Sequence, residues 1–347
     1  MEAIRKVKTK RPVNKNTSNA SVVSMFAGCG GLDLGFLGGF SYMGEHCAKL
    51  PFRILEAYEN DDKAIETYRR NIGSEIVKKN LSTFSPLEMP AADLLIGGFP
   101  CQDFSSCGPL RGLESERGRL YQALIKYMVA HQPKIVVGEN VLHLARMQRG
   151  AVLDTIISHL EEAGYSFKVW KMFAPDYGVP QNRTRLFLVG KRNDLPGFPM
   201  LPAPTCLLEP RTIDWALHDL ESVVDDSVPN QTQFFVASKA KKGNGQGDEV
   251  SRAGQPSYCV RANAKSRVQF HYRLPRRLTV RECARLQTFP DTFVFPHSTT
   301  TNVMQIGNAV PPLLAHRVAT AIHDYYITLG KAEKRRVSTI QGRFNYA

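Results

Sequence analysis

Residues 22–33 read Val22-Val-Ser-Met-Phe26-Ala-Gly28-Cys-Gly30-Gly31-Leu32-Asp33. A short β-branched run feeds directly into a glycine cluster, and the cluster opens a helical pattern. Glycines there allow a tight strand-to-helix turn and let a ligand lie against backbone at a helix N-terminus. The stretch is not a dinucleotide fingerprint, because GxGxxG counted from Gly28 puts Asp33 where the third glycine should stand. Outward from it, short apolar strands alternate with amphipathic helices. Strands are expected at 22–26, 52–58, 93–97, 134–138, 167–173 and 186–190, with helices over 120–130 and 151–162. Such alternation predicts an α/β fold built on a doubly wound, mostly parallel sheet. Glu59 closes the second expected strand, where a ribose hydroxyl would meet an acceptor, so the glycine turn either serves a nucleoside-containing cofactor or is purely structural.

Four further motifs sit at strand ends or helix starts. Gly97-Gly-Phe-Pro100-Cys101-Gln102 follows a strand at the sheet edge where open α/β folds bind ligands. Cys101 is there either a small packed hydrophobe or a nucleophile. Gly138-Glu139-Asn140-Val141 aims an acid into the same cleft, suited to proton transfer or to plain capping. Gln181-Asn-Arg183-Thr-Arg185 offers two forked donors on one face of an extended segment, for a phosphate, a carbonyl oxygen or a structural ion pair. Gln305-Ile-Gly307-Asn308-Ala-Val310-Pro311-Pro312 reads as a turn opening the last helix. Ahead of it, Thr279 and Glu282 predict a capping box on a helix reaching Leu286.

The 347-residue chain carries 45 Lys+Arg against 32 Asp+Glu, a net charge of +13. Residues 1–20 hold six of the cations and one acid, and residues 331–347 five and one. Both ends are expected to be flexible basic tails. Residues 227–285 hold twelve Lys/Arg and three acids, so a basic face toward a polyanion is expected there. No apolar run is long enough for a membrane span, and seven cysteines without a CxxC pair argue for reduced thiols rather than disulfides or structural zinc.

Taken in order, FAGCGG, GGFPCQ, GENV, QNRTR, RRLTVRECARLQTFPD and QIGNAVPP resemble the C5-cytosine DNA methyltransferases of restriction–modification systems. The resemblance implies a Rossmann-like S-adenosylmethionine-dependent methyltransferase fold with a smaller, irregular target-recognition domain. Residues 21–192 and 276–330 would form the catalytic and cofactor-binding domain, and 193–275 the recognition domain, between tails at 1–20 and 331–347. Cys101 would add to C6 of a flipped-out cytosine, Glu139 would bond N3 and the amine, Arg185 would hold O2, and Asn140 would fix the loop. Phe26, Gly28, Gly30, Gly31, Leu32, Glu59, Asn60, Asn80, Leu120, Asn308 and Val310 would line the cofactor site. Two of these depart from the family, which often has an aromatic residue at Asn60 and an aspartate at Asn80. Gln246, Arg183, Arg252, Arg261, Lys265 and Arg267 would meet DNA. The implied cofactor is S-adenosylmethionine, leaving as S-adenosylhomocysteine, with no metal. The implied setting is a cytoplasmic, nucleoid-associated monomer on double-stranded DNA, with a linked restriction endonuclease. A tRNA-modifying relative and a non-catalytic DNA binder are the alternatives. The insertion before RRLTVREC favours DNA over RNA, and the Cys101, Glu139 and Arg185 set speaks against a non-catalytic binder.

Overall fold

A computed structural model describes residues 19–100, 120–236, 249–262 and 269–344, the last fourteen as backbone only. Cys101, Gln246, Lys265 and Arg267 therefore lie outside the described residues. The chain opens with β1 (Ala20–Met25), turns through the glycine cluster and enters α1 (Gly31–Leu37). A small hairpin follows, β2 (Phe40–Tyr42) with β3 (Glu45–Cys47). Next come β4 (Phe52–Glu59), α2 (Asp62–Asn71), β5 (Ile76–Lys78) and β6 (Leu94–Gly98). Then come α3 (Tyr121–His131), β7 (Ile135–Val141), α4 (Ala151–Glu161), β8 (Tyr165–Phe173) and β9 (Thr184–Arg192). Among the described residues the main sheet has seven strands in the order β5-β4-β1-β6-β7-β9-β8. The first five are parallel to their neighbours, whereas β9 runs antiparallel between β7 and β8.

The parallel strands are apolar because both faces are covered. On one face, Val22, Ile54, Ile96 and Val137 pack under α1 and the final helix, α8 (Pro312–Phe344). On the other, Val23, Leu95, Val136 and Leu188 pack under α3 and α4. The axes of α1 and α8 come close because Gly35 leaves room: a Cβ there would stand 2.3 Å from that of Ala315. Three strands escaped the pattern reading. The three-residue β5 and the hairpin are too short to show periodicity.

Three expectations are corrected. First, residues 331–344 are helical backbone that continues α8, where a flexible tail is expected. Second, the QIGNAVPP stretch does not simply open a helix: residues through Asn308 complete α7 (Thr299–Asn308), and only Pro312 starts α8. Third, the described apolar residues of the irregular segment after β9 pack with residues of the later helices. Ile213, Leu217 and Leu220, from α5 (Ile213–Leu217) and the turn behind it, share one buried cluster with Val280, Phe289, Phe295 and Ile306.

That cluster is anchored by α6 (Val280–Leu286), which carries the predicted capping box: Thr279 Oγ1 accepts from Glu282 N at 3.0 Å, and Thr279 N donates to the Glu282 carboxylate at 2.8 Å. Such a cap stabilises a helix by about 1 kcal/mol. Part of the expected basic face is also internal. Arg281 is fully buried, donating to the carbonyls of Pro229, Pro290 and Phe293. Arg285 is 3% exposed and paired with Asp219 and Asp291, while Arg276 grips Glu282 with both terminal nitrogens. These three cations hold the fold together and are not free for phosphate.

Candidate active site

The carboxyl ends of β1, β4, β6 and β7 surround one cavity of about 380 Å³, closed on its far side by α7 and the link to α8. Phe26, Gly28, Gly31 and Leu32 come from the glycine loop, Glu59 and Asp61 from the end of β4, and Gly98 to Pro100 from the end of β6. Glu139 to Val141 come from β7, and Asn308 and Val310 from the α7 end. Sequence-distant residues meet here because parallel strands deliver their carboxyl ends to one edge, with Met25 opposite Tyr58 and Gly97, and Gly98 opposite Glu139.

The glycine loop is held in an unusual shape. Phe26, which is not glycine, has φ of 56°, a left-handed conformation costing about 1–2 kcal/mol. Strain of that kind collects at ligand sites. Its position is secured by Glu59, whose Oε2 accepts from Gly28 N at 2.8 Å and whose Oε1 accepts from Asn60 N and Asp61 N at 2.7 and 3.0 Å. The carboxylate thus lines the cavity with both Oε1 sites used and acceptor capacity left on Oε2 for a ligand hydroxyl. A Cβ built on Gly28 would meet nothing within 4 Å, and Gly28 lines the cavity, so bare backbone faces the space a ligand would take.

At the opposite wall, Glu139 is 8% exposed and forms an ion pair with Arg185, Nε to Oε1 at 2.8 Å. The pair is a diagonal cross-strand contact: Val141 stands opposite Arg185, two residues from Glu139. Burial raises the Glu139 carboxyl above the ordinary glutamate range, and Arg185 and Arg183 only partly offset it. Burial thus favours the protonated acid more than water does, the direction that suits a proton donor. Asn140 donates from Nδ2 to Phe99 O at 2.9 Å and accepts Val141 N at 2.9 Å, so it ties the β7 end to the loop that leads into Cys101. Cys101 is not described, but Pro100 before it lines the cavity.

Other sequence-predicted residues stand elsewhere. Gly30 packs its bare Cα against Tyr68 and Ile72, outside the cavity wall. Asn60 is exposed and contributes only its N–H to Glu59. Asn80 folds its Oδ1 onto Ser82, accepting from N and Oγ at 3.0 and 2.9 Å, and Leu120 sits ahead of α3. Neither lines the cavity. Arg252 and Arg261 are exposed on the irregular segment. Arg183 is a correction: 2% exposed, it donates to the carbonyls of Val260, Gly307 and Ala309 and has no surface to offer a duplex.

The sequence reading missed Asp61, Ser24 and Gln305, all cavity-lining. Asp61 was legible as the N-cap of α2, where its carboxylate accepts Ala64 N at 2.8 Å. Gln305 carries a buried Nε2 without a hydrogen-bond partner in the structure, while its Oε1 accepts from the Thr67 hydroxyl at 2.8 Å. The spare donor, the bare Gly28 backbone and the Glu59 carboxylate together suit a ligand bearing hydroxyls and polar acceptors.

Comparison with known proteins agrees with this geometry. The family model described as C-5 cytosine-specific DNA methylase matches residues 20–222 and 216–324. The chain is 32% identical to the Type II methyltransferase M.FnuDI of Fusobacterium nucleatum, over 90% of this chain and 96% of that one. It is also 32% identical to the Type II methyltransferase M.NgoFVII of Neisseria gonorrhoeae, over 93% and 92%. The solved structure of S. pombe Dnmt2 methyltransferase superposes with a TM-score of 0.65 over 88% of this chain and 99% of its own, at 15% identity, which speaks for the fold alone. Sheet topology, the cavity at the strand ends and these matches converge: the chain belongs to the C-5 cytosine-specific DNA methylases.

Proposed function

We propose that the chain methylates C5 of a cytosine flipped out of duplex DNA, using S-adenosylmethionine, in a restriction–modification setting. The observation that carries it is the pairing of two half-sites in one cavity, a hydroxyl-binding glycine loop with Glu59 and a buried Glu139–Arg185 pair. S-adenosylmethionine contributes an electrophilic sulfonium methyl and leaves as S-adenosylhomocysteine.

Everything else falls to the chain. Glu59 takes the ribose hydroxyls, and Phe26, Leu32 and Val310 supply apolar wall for the adenosyl and methionine parts. Cytosine C5 is a poor nucleophile. In the proposed step the Cys101 thiolate forms a bond to C6, which moves the C5–C6 electron pair onto C5. Glu139 gives N3 a proton as that happens, so negative charge does not build on the ring, and Arg185 orients O2 while keeping the Glu139 carboxyl in place. Once C5 carries the methyl, its hydrogen leaves as a proton to solvent. The C6–S bond then breaks and returns the thiolate, while the N3 proton goes back to Glu139, so that the methylated base leaves neutral and the acid is restored. Flipping is required because stacked neighbours cover both faces of the ring, and it costs a few kcal/mol. Arg252 and Arg261, together with Gln246, Lys265 and Arg267, are the proposed contacts to the duplex.

The test is expression in a methylation-free host followed by sequencing of 5-methylcytosine, with tritiated methyl transfer to duplex DNA and to tRNA in parallel. Methylation at one short duplex sequence, lost in Cys101→Ser, is the expected result. Transfer to tRNA alone, or full transfer by Cys101→Ser, would overturn the substrate or the mechanism respectively.

A further inference from the structure

Arg183 precedes the start of β9 by one residue and faces inward beside Arg185. Its Nη1 donates to Val260 O at 3.0 Å, and its Nη2 donates to Gly307 O at 2.8 Å and to Ala309 O at 2.9 Å. Val260 belongs to the irregular segment that also bears the exposed Arg252 and Arg261. Gly307 and Ala309 flank Asn308, and Asn308, Ala309 and Val310 form one wall of the cavity. One guanidinium therefore bridges the cavity wall, the outer segment and β9, the strand that carries Arg185 of the Glu139–Arg185 pair.

Two other observations join the same parts. A Cβ on Gly307 would stand 2.4 Å from Ala262 N and 2.4 Å from the Arg261 carbonyl carbon, so the end of α7 lies directly on the backbone of the outer segment. Gln181 accepts Val260 N at 2.9 Å through its Oε1 and donates to Leu286 O and to Gln287 Oε1. Gln287 in turn donates to Ile306 O at 2.7 Å and Ala309 O at 3.1 Å. Planar forked donors suit such a role, because a guanidinium spans several acceptors in fixed directions where an ammonium acts as a point charge.

We propose that Arg183 is a positioning residue that couples occupancy of the cofactor cavity to the ordering of the outer segment around Val260. A ligand that settles the 308–310 wall settles the carbonyls of Gly307 and Ala309, and Arg183 passes that restraint to Val260. The coupling runs equally in the other direction, as linkage requires. Cofactor binding thereby prepares the segment whose exposed arginines meet the duplex. The inference rests on the cofactor reading given above.

Hydrogen exchange on the full chain, with and without saturating S-adenosylhomocysteine, tests it without any DNA. In the wild type, peptides covering 26–34 and 304–310 are expected to gain protection, and peptides covering 257–262 to slow by about fivefold or more. The Ser257 and Val260 amides are the reporters, since they donate to Pro180 O and Gln181 Oε1. In Arg183→Met the cavity peptides should still gain protection while the gain at 257–262 disappears, and Arg183→Lys should restore part of it. If Arg183→Met does not fold, Gly307→Ala, which forces the two backbones apart with Arg183 intact, should show the same loss. Cavity protection in the wild type with no change at 257–262 overturns the coupling and leaves the cofactor reading standing. Unchanged coupling in the folded Arg183→Met also overturns it. Absence of protection anywhere overturns the cofactor reading and this inference together.

Discussion

Gly31→Ala probes the cavity wall from its hidden side. Gly31 is the first residue of α1, and a Cβ there would land 2.4 Å from Val310 O, 3.2 Å from Ala309 Cβ and 3.3 Å from Phe289 Cζ. Ordinary contact begins at 3.4 Å, so Val310 O must retreat by about 1 Å. A carbonyl cannot escape by changing rotamer. Its neighbour is also tethered, because Ala309 O accepts from both Arg183 and Gln287. Forcing atoms into a packed site costs roughly 1–3 kcal/mol. At about 1.4 °C per kcal/mol for a chain of this length, the melting temperature should fall by roughly 1.4–4 °C. Val310 lines the cavity, so if the retreat distorts the bound site to a similar extent, S-adenosylhomocysteine affinity falls by about 10- to 100-fold. Thermal unfolding and titration calorimetry on the full chain read both quantities. Gly28→Ala is the contrasting control: its Cβ meets no protein atom within 4 Å, so its stability cost is the left-handed backbone alone, about 1 kcal/mol, while the methyl enters the ligand's space. A Gly31→Ala protein with a melting temperature within about 1 °C of wild type and unchanged affinity would refute the claimed approach of α1 to the 309–310 backbone.

Glu139→Gln should lower kcat by about 10²- to 10⁴-fold in single-turnover methylation, with S-adenosylhomocysteine affinity unchanged; a loss below fivefold contradicts proton donation. Burial raises the Glu139 pKa, so the protonated fraction falls as pH rises through it, and kcat should decline on the alkaline side. Asp33, buried beside Ser24 and Tyr68, is pushed up by burial to about 7 from an unfolded value near 3.8. A raised folded pKa means that its favourable contribution is complete below pH 4 and lost as pH climbs to about 7. Asp33→Asn should therefore raise the melting temperature at pH 8 and matter less at pH 5, and the reverse order would disprove the reading. Arg281→Ala leaves three buried carbonyls without their donor and should cost about 3 kcal/mol or more in urea unfolding. Arg252→Ala and Arg261→Ala should instead spare stability and flatten the salt dependence of duplex binding by about one unit of slope each.

Local pattern was enough for much of the fold and for part of the candidate site. The β1 run and the glycine cluster, the acid at Glu59, the β7 end at Glu139 and the Thr279–Glu282 cap all announce themselves within a few residues, because strand period, turn chemistry and capping are short-range effects. What the sequence could not disclose was the use to which like residues are put. Arg183 and Arg185 stand two apart with the same chemistry, yet one clamps three carbonyls and the other pairs with Glu139 at the cavity. Of the arginines counted as a basic face, Arg281 and Arg285 prove to be internal, while Arg252 and Arg261 are exposed. Gly30 and Gly31 are adjacent, yet only Gly31 meets the 309–310 wall. A residue type specifies which partners a side chain can hold, but burial and the partner's position come from strands and helices far away in the chain. By itself the sequence determined the order of the longer strands, the parallel core and the identity of the chemical groups; only the tertiary structure decided which of those groups face the cavity, because that depends on contacts between residues that no local period connects.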